Sequence, residues 1–173
     1  FDPQAVDDGL GTFALTRLLV KQAALPVIAA GGIMDGAGIA AALALGAQAA
    51  QLGTAFVACP ETAIDEGFRR AIGAGERRTT FTASISGRKA RGLRNDFTAL
   101  DDDAARPPVP DYPIAYDAGK ALHAAAKARG VFGYGAQWAG QAAPLARSLP
   151  AAELVATLDA ELRQARRALV EGV

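Results

Sequence analysis

Residues 25–56 read LPVIAAGGIMDGAGIAAALALGAQAAQLGTAF. Two short apolar runs, 26–30 and 49–52, each end in a glycine turn, Gly31-Gly32 and Gly53-Thr54. Each run is brief and uniformly apolar, the pattern of a parallel strand covered on both faces. Between them Asp35 is placed to cap a helix over 36–45, with Ile39 and Leu43 on one face and Gly46 as its stop. Strand, helix and strand joined by short links form βα units, which build a parallel sheet. Composition alone does not separate an open doubly wound sheet from a closed barrel.

Outward from this stretch, Phe13, Leu15, Leu18 and Leu19 recur at helical spacing, so a helix is expected over 12–24, capped by Thr12. Another helix is expected over 62–72. The texture then changes. Residues 75–97 are basic and rich in β-branched side chains, and read as short strands and loops. Residues 100–113, LDDDAARPPVPDYP, form a proline-rich connector. Helices return at 114–128, at 137–147 and at 150–170, the last with an apolar stripe of Leu154, Leu158, Leu162, Ala165 and Leu169. Three parts are therefore expected: βα units over 1–75, an irregular and β insert over 76–115, and packing helices over 116–173.

The chain has 173 residues, no formal net charge and a single cysteine, Cys59. Zero net charge offers no bulk attraction to nucleic acid or to an acidic membrane. No apolar run reaches the roughly 18 residues that a membrane span needs. One cysteine rules out an intrachain disulfide and fits a reducing, cytoplasmic compartment. No Cys, His and carboxylate cluster has metal-ligand spacing. The first residue is Phe and no targeting segment is visible, so a piece of a longer polypeptide is expected.

The glycine turns carry the chemistry. In a parallel α/β layout, loops beyond the strand C-termini form the ligand face. Glycine there permits positive φ and lets main-chain N–H groups approach an anion with no Cβ in the way. A helix N-terminus behind the turn adds partial positive charge. Two such turns in consecutive βα units read as a phosphate site, with Thr54 adding a hydroxyl. The competing reading is a pair of tight turns that only reverse the chain.

These residues also carry a resemblance. Residues 25–56 resemble the FMN-binding half of the nitronate monooxygenase family. ISGRKARGLRNDF at 85–97 is similar to a later segment of that family, and YGAQWAGQAA with LPAAELVATLDAE to its C-terminal end. The resemblance implies the C-terminal part of a (β/α)8 TIM barrel, followed by a small irregular and β insert and C-terminal helices. It implies FMN held by Gly31, Gly32, Gln51, Leu52, Gly53 and Thr54. It implies a substrate pocket that includes Met34, Tyr134, Gln137 and Trp138. The implied reaction oxidises an alkyl nitronate or nitroalkane with O2 to a carbonyl compound and nitrite. The family's catalytic histidine has no counterpart here and is expected upstream of Phe1. His123, the sole histidine, reads as an ordinary helix residue. The implied partners are a small-molecule nitronate and O2, and a homodimer is an assembly the resemblance allows. The same barrel also suits an NAD(P)H-dependent flavin reductase of quinones or enoyl thioesters. A non-catalytic phosphate-ligand module is the reading from another class.

Among the remaining residues, Arg88, Lys89, Arg91 and Arg94, with Arg77 and Arg78 upstream, form a basic cluster. It is expected to pair with Asp96 and Asp101–Asp103 in solvent rather than to bind an anionic ligand.

Overall fold

A computed structural model of the chain describes residues 9–74 and 78–172. Two compact units emerge. One holds the chain up to Leu52 together with Val155 onward, and the other runs from Gly53 to Leu154. The three parts read from the sequence follow chain order, whereas compactness joins most of the last helix to the first unit.

The first unit contains α1 (Thr12–Gln22), β1 (Ile28–Ala30), α2 (Gly36–Ala44), β2 (Ala49–Gln51) and the greater part of α7 (Ala151–Glu171). β1 and β2 pair in parallel, with Ile28 opposite Ala49, Ala29 opposite Ala50 and Ala30 opposite Gln51. The cap of α1 is Gly11 rather than Thr12, whose hydroxyl instead reaches Ala30 O at 3.5 Å. α2 begins as expected, with the Gly38 N–H donating to Asp35 Oδ1 at 2.8 Å. It also stops as expected. Gly46 adopts φ +97°, and the Gly46 and Ala47 amides donate to Leu43 O and Ala42 O. That pair of bonds satisfies carbonyls the helix would otherwise leave bare. Ala29, Ile33, Ala42 and Ala47 form the core, with Ile39, Ala50 and Leu52 packed against it. Small residues allow close approach. A Cβ on Gly36 would strike the Leu162 amide and the Glu161 backbone of α7, and the Gly36 N–H donates to Glu161 Oε2 at 3.0 Å.

β1 departs from the expected strand covered on both faces. Only its middle residue, Ala29, is buried, and Ile28 is 59% exposed. Leu10, Phe13, Leu15, Leu18, Leu19 and Leu25 are exposed as well. β1 and β2 have no third strand beside them among the described residues. Large apolar side chains next to open strand edges mark a surface built to be covered.

The second unit contains α3 (Thr54–Val57), α4 (Glu66–Gly73), the antiparallel pair β3 (Thr79–Thr82) and β4 (Ala90–Leu93), α5 (Asp96–Ala99) and α6 (Ile114–Lys127). α4 starts later than expected because Asp65, not Thr62, caps it, accepting the Phe68 N–H at 2.8 Å. Thr62 turns back and donates to Val57 O and Cys59 O. The helix expected over 137–147 is absent apart from a single turn, Ala143–Leu145. Its first residues lie along β4 instead. The Leu93 amide donates to Gln137 O at 2.8 Å and the Ala139 amide to Arg91 O at 3.2 Å. Pairing with the strand edge takes main-chain groups that a helix would have used. Ala58, Ile72, Leu93, Ala139 and Ala143 make the core. The connector after α5 is clasped at its start, where Asp101 accepts from Ser84 Oγ at 2.7 Å and pairs with Arg106 at 2.9 Å. α7 confirms the expected C-terminal helix, although its apolar stripe is buried only at Leu154 and Leu158, and Leu169 is 69% exposed. No helix among the described residues is long and apolar enough to cross a membrane.

The contact at Gly36 yields a signed prediction. Gly36→Ala is expected to destabilise the chain by about 3 kcal/mol, because main-chain atoms of α7 must move. Gly73→Ala, where an added Cβ meets nothing, is expected to be neutral or stabilising by about 0.5 kcal/mol. Urea unfolding of the two variants beside the parent chain checks both signs.

Candidate functional site

In the first unit the register of β1 on β2 sets Ala30 beside Gln51, so the two strands end side by side. Gly31 and Gly32 follow at once, with φ of +114° and +75°. Both are exposed, and a Cβ on Gly32 would meet no atom within 4 Å. The turn therefore presents its backbone to open space, in a conformation that L side chains rarely adopt. Gln51 is exposed and Leu52 half-buried at the end of β2.

α2 contributes less than expected. Its first amide, on Gly36, is already taken by the Glu161 carboxylate, and the Gly38 amide by Asp35. The helix start at this end is thus already occupied by side chains of the same unit. Met34 is buried at 3% exposure within the same unit.

At the head of the second unit, Gly53 caps the single turn α3 with φ −105°, so its role does not depend on positive φ. A Cβ there would meet nothing within 4 Å. Thr54 Oγ1 accepts the Gly140 N–H at 2.9 Å, which orients the hydroxyl and leaves its proton to donate.

The second unit also holds a cavity of about 330 Å³, lined by Asp65, Phe97, Tyr116, Lys120, His123 and Gln137 among others. Of the expected pocket residues, Gln137 lines it. Gln137 is 5% exposed, and its side chain accepts from Asn95 Nδ2 at 3.3 Å and donates to Phe132 O at 3.4 Å. Tyr134 instead packs on Phe97, ring centroids 6.2 Å apart, and Trp138 lies opposite Gly92 on β4.

Sequence reasoning passed over Tyr116, Lys120 and Asp65, and read His123 as an ordinary helix residue. One signal was available: Tyr116, Lys120 and His123 recur at spacings of four and three, one face of the expected helix 114–128. Tyr112 stacks on Tyr116 at 6.2 Å, and the Lys120 ammonium sits 4.3 Å from the Tyr116 ring centre. His123 faces Asp65, with Nε2 to Oδ2 at 3.0 Å. That contact joins residues 58 apart in sequence, and no local pattern announces it.

The basic cluster is largely spent on its own neighbours. Arg94 pairs with Asp102 at 2.5 Å. Arg91 lies 4.0 Å from the Phe81 ring centre and bonds Thr79 Oγ1 at 3.0 Å, and Lys89 lies over the same ring at 4.8 Å. Arg77 falls outside the described residues. Among the described residues no group of three or more His, Cys, Asp or Glu is placed to hold a metal ion.

Comparison with known proteins now bears on this geometry. The family model for nitronate monooxygenase matches residues 2–161. A protein of Paraburkholderia phytofirmans named nitronate monooxygenase is 76% identical over 165 residues, which are 95% of this chain and 45% of that protein. The chain thus spans about half the length of the curated relatives it matches. Among solved structures, a nitroalkane oxidase from Streptomyces ansochromogenes is 42% identical with a TM-score of 0.84, covering 94% of this chain and 47% of that one. FabK from Thermotoga maritima is 30% identical with a TM-score of 0.77, covering 95% and 52%.

Cys59, the sole thiol, is excluded as a nucleophile. It is 1% exposed, and burial, with a lesser contribution from Glu61, pushes its pKa above the ordinary thiol value. Ellman's reagent is expected to modify it at least about ten-fold more slowly than a free thiol until denaturant is added. Because folding holds the proton on, the stability Cys59 lends is complete at neutral pH and declines as pH climbs beyond the ordinary thiol range. Unfolding midpoints on either side of that range check the sign.

Proposed function

The chain belongs to the nitronate monooxygenase family, and we propose that it supplies the half of an FMN-dependent TIM barrel that anchors the cofactor's phosphate. The register of β1 on β2 carries the reading, since it sets the ends of the two strands side by side. Gly32 faces open space, and Gly31 has only the Thr12 hydroxyl beside it, so the turn can offer main-chain amides to an anion. The run Gln51, Leu52, Gly53 and Thr54 continues from the neighbouring strand. A Cβ on Gly53 would meet no atom within 4 Å, and the Thr54 hydroxyl keeps a proton to give. Gln51 offers an amide to the ribityl chain or to the phosphate. The open backbone at Gly32 and Gly53 fits a bulky anionic group, so the residues present suit FMN.

Bound FMN would supply redox chemistry that moves electrons from an alkyl nitronate to O2, giving a carbonyl compound and nitrite. This chain's residues bind and orient. The second unit contributes a cavity whose Lys120 and Tyr116 suit an anionic substrate, and Gln137 closes one wall. The base that removes a proton from neutral nitroalkanes is assigned to the part of the protein not supplied by this chain. The exposed Phe13, Leu18, Leu25 and Ile28 are the surface on which the rest of the barrel packs. We place the complete protein in the cytoplasm. The likeness to FabK favours one second reading, an NAD(P)H-dependent flavin reductase on the same barrel.

The test joins this chain to the portion of the Paraburkholderia relative that it does not cover. The fused protein is expected to purify yellow and to oxidise alkyl nitronates with nitrite release. Gly53→Val is expected to weaken FMN binding about ten-fold or more, since the amides lose their approach to the phosphate. Arg91→Ala, which loses only contacts to Phe81 and Thr79, is expected to keep its flavin. Equal flavin content in the two variants defeats the anchoring assignment. NADH turnover without nitronate oxidation moves the protein to the second reading.

A further inference from the structure

One arrangement in the second unit lies outside the cofactor anchor. Asp65 spends both carboxylate oxygens: Oδ1 accepts the Phe68 N–H at 2.8 Å and so caps α4, while Oδ2 lies 3.0 Å from His123 Nε2. An ionised carboxylate only accepts, so Nε2 must carry the proton. In the neutral ring His123 Nδ1 is then the lone-pair nitrogen, and it is buried with no hydrogen-bond partner among the described residues. The ring is wedged as well as bonded. A Cβ on Gly135 would come within 3.1 Å of His123 Cε1 and 3.5 Å of Nδ1.

His123 stands three residues after Lys120 and seven after Tyr116, on the same face of α6. All three line the cavity. A helix can roll about its own axis with little change in its backbone bonds, and α6 carries Ile114 and Leu122 exposed on another face. A directional bond from its cavity face to the cap of a second helix opposes that roll. We propose that the Asp65–His123 hydrogen bond is a positioning device for the cavity, fixing the roll of α6 and hence the placement of Tyr116 and Lys120. His123 is accordingly a positioning residue whose proton stays on Nε2. The catalytic meaning of the device rests on the assignment of this cavity to substrate, but the positioning itself does not.

The experiment uses the fused protein described above, with ¹⁵N-histidine labelling and the His123 signals assigned by their loss in His123→Gln. In its neutral form the ring is expected as the Nε2–H tautomer. In Asp65→Asn the amide keeps the cap through Oδ1 and turns an N–H toward Nε2, so the ring proton is expected to move to Nδ1. A packing role alone would not move it. With a nitronate as substrate, His123→Ala is expected to raise KM about ten-fold with kcat within about two-fold, and His123→Gln, which restores a donor at the Nε2 position, to recover KM. A mixture of tautomers indifferent to Asp65→Asn overturns the proposal, as does His123→Ala with unchanged KM and kcat. If the fused protein binds FMN but oxidises no nitronate, the functional reading falls instead. The device is then decided by the Tyr116 ring signals, expected to shift in His123→Ala and return in His123→Gln. Signals that stay fixed in both variants overturn it.

Discussion

Parallel pairing of two three-residue strands is the constraint on which the first unit depends. Three residue pairs, from Ile28–Ala49 to Ala30–Gln51, bring two strand ends to one level. A slip of one residue would turn every side chain of the strand to the opposite face. Ala29 would leave the core it shares with Ile33, Ala42 and Ala47. The alanines matter here because their size lets α2 lie close to the sheet, and Gly36 lets it lie close to α7. Precision at the strand ends is obtained from small residues rather than from bulky packing.

The second unit is organised by hydrogen bonds more than by bulk. Asn95 caps α5 through Thr98, and its amide reaches Gly135 O at 2.9 Å and the Gln137 side chain. Gln137 in turn gives its main-chain carbonyl to Leu93 on β4. One buried amide pair thus ties a helix cap, a strand edge and the cavity wall together. Buried polar groups of this kind are stable only when satisfied, and their satisfaction selects one arrangement of the chain. Phe97 and Ile85 supply the apolar part of the same wall.

Much of this was legible in residues 25–56. Asp35 and Gly46 announced the limits of α2 through local rules for caps and stops, and both act as those rules predict. Gly31 and Gly32 likewise adopt the positive φ that their position in a turn asks for. What escaped the sequence was non-local. Residues 137–139 had helix-compatible composition, yet the edge of β4 competed for their amides and won. The engagement of the Gly36 amide by Glu161 spans 125 residues, and the meeting of His123 with Asp65 spans 58. Neither leaves a periodic trace. The exposure of β1 was hidden for a different reason. An apolar run states that a strand is meant to be covered, not whether the cover lies within the same stretch of chain.

Glu161 gives the tail of the chain a second office. By taking the Gly36 amide beside the Asp35 carboxylate, which already holds that of Gly38, it latches the last helix onto the front of α2. A nonsense codon ahead of residue 161, or a protease that trimmed α7, would do more than shorten a helix. It would unfasten α2 from its neighbour, and with it a long-range clasp on the βα unit that carries the glycine bend.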